Sequence, residues 1–280
     1  MADRLVALRW ARPLLVVVAG TALAGCGGGT KADSLPTVVQ AARATLSDSA
    51  SSILSLDGAS AFGAPHAALQ GQGQFGFQDG IGYQSVDVAG GRVTVVYAPQ
   101  RVYLQPTVET LLPPTKEWVA ATVPASGRVS GDIARFVEQA EGLSPALLLH
   151  EVVWGGQRAG ARGHTTVNHV RLARYDVTVD LSRAAAKAAH QSPAEHLAIE
   201  QELAAAPRVQ VTVLIDGSGR VARMEATTPG AGLGPATVDL TRLNYRFASG
   251  PPPDGQVSEL SALAGSYAST VRSPWARGAR

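Results

Sequence analysis

Two stretches in the second half of the chain decide the fold: YDVTVDL at 175–181 and VTVLIDGSGRV at 211–221. In the first stretch, Tyr175, Val177 and Val179 alternate with polar residues, as in a strand that buries one face. In the second, alternating apolar residues lead into the turn DGSG, after which the chain returns as another strand. This pattern predicts a β-hairpin and therefore an antiparallel sheet with one face against a core.

The segments around these strands predict one long helical region and one irregularity. Residues 182–206 are rich in Ala, Glu and Lys, which favours a helix interrupted at Ser192 and Pro193. Upstream, Val170 and Leu172 lie in the opposite phase to Val177. We therefore expect a β-bulge near Leu172 and Ala173.

The first half of the mature chain predicts an antiparallel meander. In LQGQGQFGF (69–77) the glutamines fall on one face and the apolar residues on the other, while Gly71 and Gly73 permit close approach of a neighbouring backbone. Further strand-like runs, separated by short connections, occupy 81–88, 92–98, 101–105 and 118–123.

Three apolar helices are predicted alongside this meander. One covers about 36–52, a second is capped by Ser130 or Asp132 and ends at Gly142, and a third begins at Ser144 and Pro145. The second and third are short, and their apolar faces require a surface to cover.

The first 26 residues have the features of an export signal. Three arginines precede an uncharged apolar run from Pro13 to Ala22, and LAGC follows at 23–26. The apolar run is too short to span ~30 Å of hydrocarbon comfortably, which disfavours a permanent transmembrane helix. Cleavage between Gly25 and Cys26 would remove three arginines and one aspartate, so that the mature chain has equal numbers of acidic and basic residues.

Cys26 is the only cysteine of the 280 residues, which excludes an internal disulfide framework. LAGC at this position resembles the bacterial lipobox. The resemblance implies that the Cys26 thiol carries a diacylglyceryl group and anchors the chain to the cell membrane on its extracytoplasmic face. The alternative is an ordinary secreted protein whose signal ends near a cysteine by chance.

The second half also resembles a known family. RYDVTVDL at 174–181, the segment 211–221 and PPDGQV at 252–257 are similar to actinobacterial lipoproteins of the LppX/LprG type. The resemblance implies an α+β fold of the LolA/LolB-like kind: a curved antiparallel β half-barrel with helices covering the concave face. It also implies a carrier of lipids or lipoproteins, with no catalytic group and no cofactor. The expected organisation is a signal peptide, a flexible tether, a LolA-like domain and a disordered tail (1–25, 26–35, 36–262 and 263–280).

Few residues suggest catalysis or metal binding. The histidines do not converge on one point: His164 and His169 face opposite ways, and His150 is isolated. The glutamate pairs Glu138/Glu141 and Glu195/Glu202 are expected on solvated helix faces. The near-balanced charge disfavours nucleic-acid binding. These patterns favour a protein that is not an enzyme and holds no metal.

The aromatic residues of the first half are the main candidates for a ligand site. They lie where the meander and the short helices would meet, and they either fill a core or line an apolar cavity that admits acyl chains. The cavity candidates are Phe75, Phe77, Tyr97, Tyr103, Trp118, Phe136 and Leu148. Two functions remain open: binding or carrying a lipid, glycolipid or lipidated molecule, and an envelope sensor or interaction module with a filled core and a protein partner.

Overall fold

A twelve-stranded sheet carries most of the described chain. The computed structural model describes residues 34–59, 67–88, 91–105, 112, 115–124, 134, 137–138, 140–226, 236–243 and 250–267. The strands are β1 (Ser49–Ala59), β2 (Ala67–Gly76), β3 (Ile81–Val88), β4 (Gly91–Ala98), β5 (Arg101–Gln105), β6 (Trp118–Thr122), β7 (Gly156–Val167), β8 (Val170–Asp180), β9 (Arg208–Ile215), β10 (Val221–Ala226), β11 (Ala236–Arg242) and β12 (Val257–Glu259). The helices are α1 (Leu35–Leu46), α2 (Pro145–Gly155), α3 (Leu181–Gln191), α4 (Pro193–Ala205) and α5 (Leu260–Tyr267).

The sheet is open and almost wholly antiparallel. Its strand order is β12-β6-β5-β4-β3-β2-β1-β11-β10-β9-β8-β7, and only the edge pair β12 and β6 is parallel. Strands β2 to β6 form the predicted meander, and β1, which was not predicted as one of its strands, extends it. The second-half hairpin adjoins it through β11, which pairs with both β1 and β10. This open sheet with helices packed on it confirms the predicted α+β half-barrel class.

One face of the sheet, here named the helix-covered face, packs against α1, α2, α3 and α4. Strand residues at alternate positions join the buried residues of these helices in one core, for example Val86, Val177 and Val213 with Val38 and Leu149. The opposite face, here named the outer face, carries the strand residues at the intervening positions. The glutamines of β2 lie there, as the alternation predicted.

Element boundaries differ from the prediction in two places. The first helix ends at Leu46 rather than near 52, and the apolar residues Ile53 and Leu54 belong to β1. No bulge occurs in β8 at Leu172, since β8 pairs with β9 in unbroken register from Ala173 to Asp180. The extra residues lie in β7, before His164. Leu172 is out of phase because it is buried on the outer face.

The turn motif DGSGRV ties the hairpin to the end of α1. The Asp216 carboxylate accepts hydrogen bonds from the backbone N–H groups of Ser218 and Arg220, and Gly219 takes a positive φ of 79°. The Arg220 side chain then donates to the Ala44 carbonyl at the end of α1 and pairs with Asp48 at 2.8 Å. The motif is structural, as its composition indicated.

Candidate functional site

Three of the predicted cavity residues contact one another, and a fourth, Leu148, packs against the same core. The Phe75 ring stacks on that of Phe77 at 5.6 Å and lies 5.6 Å from Tyr97. Phe75 and Tyr97 are buried in the main core, and Phe77 and Leu148 pack against it partly buried. Phe75, Phe77 and Tyr97 thus form one aromatic group beneath the helices, and Leu148 of α2 belongs to the same core.

The remaining cavity candidates lie elsewhere. Tyr103 and Trp118 belong to a separate small cluster with Val96 and Val257. Tyr103 alternates along β5 with Val102 and Leu104, which face the helices, so its side chain points to the outer face. Phe136 and Cys26 lie outside the described residues, as do the predicted signal peptide and most of the 263–280 tail. The predicted boundary at 262 falls inside α5.

The glycines of β2 and β3 allow unusually close packing beside the aromatic rings. A Cβ on Gly73 would lie 2.2 Å from the Tyr83 carbonyl oxygen, and one on Gly82 would lie 2.2 Å from the Phe75 ring. Gln84 occupies the space that Gly73 leaves, fully buried, and accepts a hydrogen bond from Ser52 at 2.8 Å. The predicted close approach at Gly73 is therefore present.

A second feature of the interior is a group of buried acids, here named the glutamate cluster: Glu141, Glu151, Glu195 and Glu202. Their side chains are between 0% and 8% exposed. Glu141 precedes α2, Glu151 lies in α2, and the other two lie in α4. The expectation that Glu141, Glu195 and Glu202 are solvated was wrong, because the helix faces that carry them turn inward.

Residue spacing explains the burial of the α4 acids. Glu195, Ala198, Ile199 and Glu202 follow the i, i+3, i+4, i+7 pattern of a single helical face, and all four are buried. The α4 glutamates therefore share the stripe that contacts the core. This spacing is visible in the sequence and is the signal that could have placed them correctly.

The glutamate cluster has few polar partners. Both Glu195 oxygens lie 2.9 Å from Nδ1 of His150, whose ring stacks on Trp154 with centroids 4.4 Å apart. Glu151 and Glu202 lie next to each other, so that a hydrogen bond joins them when one of the two carboxyl groups is protonated, and neither oxygen of Glu151 has any other partner. Among the residues that the structure describes, no lysine or arginine pairs with these four acids. His150, which was expected to be isolated, is their one basic contact in that set.

Burial and mutual repulsion shift the pKa values of the glutamate cluster upward. Burial raises the pKa of Glu202 from 4.5 to about 7. Burial, together with the neighbouring charges of Glu202 and Glu195, raises the pKa of Glu151 well above its ordinary value. Burial and the charge of Glu195 do the same to the pKa of Glu141. Loss of water disfavours the charged form of a carboxyl group, and nearby like charges add to that cost.

Tyr97 connects the aromatic group to the glutamate cluster. Its hydroxyl donates to the Ala140 carbonyl at 2.7 Å. Burial, and secondarily the charge of Glu141, raises the pKa of the Tyr97 hydroxyl well above 10. The space between sheet and helices thus contains an apolar part around Phe75 and an acidic part around Glu151, with Tyr97 and Glu141 between them.

Within the described ranges, no three His, Cys, Asp or Glu side chains are arranged to hold a metal ion. None of the described helices is long and apolar enough to cross a membrane.

Two cavities are lined by described residues. The larger, of about 220 Å³, lies on the outer face and is lined by residues of β1–β4 that include Ile53, Gln70 and Gln72. The smaller, beside Asp48 and Arg220, measures about 20 Å³. That volume is enough for about one water molecule. Neither is an acyl-chain cavity beneath the helices.

The chain matches no protein-family model and no curated protein. Three solved structures are similar to it. LprF from Mycobacterium bovis is 10% identical, with 79% of this chain and 96% of that one covered and a TM-score of 0.43. An uncharacterized conserved protein from Thermus thermophilus is 9% identical, with coverages of 81% and 99% and a TM-score of 0.40. LppX from Mycobacterium tuberculosis, a lipoprotein, is 12% identical, with coverages of 77% and 98% and a TM-score of 0.38.

All three TM-scores are below 0.5, so the fold assignment rests on the strand order and helix contacts described above.

Proposed function

We propose that this protein is a lipid-anchored extracytoplasmic lipoprotein that binds or carries a lipid or lipidated molecule between the helix-covered face and its helices. The acyl chains of the ligand would lie against the surface formed by Phe75, Phe77, Tyr97 and Leu148. Such binding needs shape and apolar burial, and neither a catalytic group nor a cofactor.

One observation carries the proposal: the helices that close over the aromatic surface do so with buried, poorly partnered acids. A buried carboxyl group without a partner costs free energy, whereas an apolar residue of similar size in its place would stabilise the contact. The sheet is held by continuous strand pairing, and the helix layer is attached less favourably. Helices attached in this way can move aside to admit a ligand while the sheet persists.

Burial of an acyl chain supplies the driving force for such an exchange. Each methylene transferred from water is worth ~0.8 kcal/mol, so a chain of about ten methylenes gains roughly 8 kcal/mol before the cost of displacing the helices. The same arithmetic makes two or three acyl chains on Cys26 a firm anchor, where one chain alone binds a membrane only reversibly.

The anchor is tested by replacing Cys26 with serine. We expect the wild-type chain to incorporate radiolabelled palmitate in the producing bacterium and the Cys26→Ser chain to incorporate none, because serine has no thiol for acyl attachment. Gel autoradiography measures the label. A serine variant that still carries palmitate would place the acylation elsewhere and contradict the assignment.

The ligand is tested by native mass spectrometry. The full chain, purified from membranes in dodecyl maltoside, should carry a dissociable lipid in addition to the covalent mass on Cys26, and the added lipid should raise its melting temperature. Leu148→Asp should lose this lipid, since it places a charge in the apolar surface, whereas Val170→Asp, at an exposed position, should retain it. A wild-type chain with no dissociable lipid and no thermal shift would overturn the proposal.

A second function is favoured by the filled interior. Phe75 and Tyr97 are 3% and 7% exposed, Phe77 beside them is partly buried, and the larger of the two cavities described above lies on the outer face. A sensor or interaction module with a packed core fits this arrangement. Under that alternative, cross-linking in cells captures one stoichiometric envelope protein and the purified chain carries no lipid.

A further inference from the structure

We infer that the glutamate cluster is a pH-sensitive contact that keeps α2 and α4 packed over the sheet when its carboxyl groups are protonated and releases them when the protons are lost. This inference rests on the proposed function, since it gives the condition under which the proposed lipid site opens. The glutamates concerned are not part of the proposed apolar surface for the lipid.

The acids lie where α2 and α4 meet. Glu151 is fully buried in α2, and Glu195 and Glu202 reach toward it from α4. Carboxyl groups therefore lie within the contact between the two helices, beside the apolar side chains of the same core. When one of Glu151 and Glu202 is protonated, it can donate a hydrogen bond to the other; when both are ionised, neither can donate, and Glu151 has no other partner to neutralise its charge.

Among the residues that the structure describes, the other elements packed against this contact add no cation to it. Strand β6 and helix α5, which pack against Ala194 of α4, carry no charged residue. Arg43 of α1 and Arg183, Lys187 and His190 of α3 are exposed, as is Arg158 of β7. The ionisable groups that face the contact are His150 and Glu151 of α2, Glu195 and Glu202 of α4, Glu141 before α2, and Tyr97 of β4. His196 of α4 is partly buried, with its Nδ1 atom buried and unpartnered. His150 can balance only one of four acids.

The sign of the effect follows from the proton count. In the closed state, the acids hold protons at pH values where water-exposed glutamates have lost them, as for Glu202 with its pKa of about 7. In an open state, the same side chains are hydrated and titrate near 4.5. Between these two values, opening releases protons, so each unit rise in pH shifts the equilibrium toward the open state by up to about tenfold. Above the closed-state pKa of about 7, a further rise in pH no longer shifts the equilibrium.

The connections of α4 suit a local opening. A single residue in extended conformation, Ser192 (φ −146°, ψ 91°), separates α3 from α4, and Ala206 (φ −155°, ψ 133°) follows α4. These short links hold no apolar side chain in the core. Strand β9 next to them pairs with β8 on one side and β10 on the other, so it can remain in place when α4 leaves.

The experiment is amide hydrogen exchange on the full chain between pH 5 and pH 8, corrected for the pH dependence of the chemical exchange rate. We expect the protection of the α4 and α2 amides to fall on the order of 50-fold over this range, from the proton count of Glu202 alone. The amides of β9 should keep their protection, because the sheet does not open.

Three variants make this result specific. In Glu202→Gln and in Glu151→Gln the pH dependence of α4 protection should shrink at least severalfold, since each removes one titrating group of the contact. Glu200→Gln changes an exposed glutamate of the same helix and should preserve the full wild-type response. If one glutamine variant fails to fold, the other decides the outcome.

The inference is overturned if α4 protection is independent of pH in the wild type, if α4 and β9 lose protection together, or if both glutamine variants keep the wild-type response. None of these readouts involves a lipid. If the helices open with pH but the chain carries no dissociable lipid, this inference stands and the proposed function fails. If the chain carries a lipid but α4 protection does not depend on pH, the proposed function stands and this inference fails.

Discussion

Replacing Glu202 with glutamine is expected to stabilise the folded protein at pH 8 by about 2–3 kcal/mol, with little change at pH 5. Burial raises the pKa of Glu202 from 4.5 to about 7, so the wild-type protein at pH 8 must ionise an acid inside its core. Glutamine has nearly the same shape and no charge to bury.

The pH profile of the wild-type protein follows from the same shift. The folded state binds more protons than the unfolded state between pH 4.5 and about 7. The contribution of Glu202 to stability is therefore fully present below this window and is lost as the pH rises through it. Urea denaturation followed by far-UV circular dichroism, repeated from pH 5 to pH 9, measures the slope. The Glu202→Gln protein should show a flatter profile.

Glu200→Gln is the matched control, because Glu200 is exposed on the same helix. Its free energy of unfolding should stay within about 0.5 kcal/mol of the wild type at every pH. A Glu202→Gln protein that is less stable than the wild type at pH 8 would mean that the ionised carboxylate is stabilised by a partner. That result would remove the basis for the pH-sensitive contact.

Substituting alanine for Gly73 is expected to destabilise the fold by about 3 kcal/mol. The new Cβ would lie 2.2 Å from the backbone carbonyl oxygen of Tyr83 and 2.6 Å from Oε1 of Gln84. The amide of Gln84 can move, but the carbonyl belongs to the adjacent strand and is held by the pairing of β2 with β3. Separation of these strands would also disturb Phe75, two residues away.

Urea denaturation at pH 6 measures the loss, with Gly160→Ala as the control. Gly160 also lies in a strand, but a Cβ there meets no atom within 4 Å, so the change should cost no more than about 0.5 kcal/mol. Equal effects of the two substitutions would show that Gly73 matters only through the general weakness of glycine in strands. The close approach of β2 and β3 would then not be a requirement of the fold.

The sheet could be predicted from the sequence because alternation directly reports which side of a strand is buried. The strands of the meander and the DGSG hairpin occur within a few residues of their predicted ends. The pairing of β12 with β6 could not be predicted this way. It joins residues 257–259 to 118–120, and no local pattern encodes a contact over that distance.

The interior was only partly predictable. Alternation grouped Phe75 with Phe77, but it could not show that Tyr103 points to the outer face, because both faces of β5 are apolar and both are buried. The glutamate cluster was missed for a different reason. Charged residues are almost always exposed, and that general expectation outweighed the helical spacing of Glu195 and Glu202 with Ala198 and Ile199.

The central claim is that the space between the helix-covered face and the helices receives an acyl chain. A phosphatidylcholine bearing a diazirine in one acyl chain, supplied in vesicles to the full chain and activated by light, tests this directly when the adducts are mapped by peptide mass spectrometry. We predict adducts on the peptides that contain Phe75, Phe77, Tyr97 and Leu148. Adducts confined to outer-face residues such as Ile53, or no adducts within the folded chain, would contradict the claim.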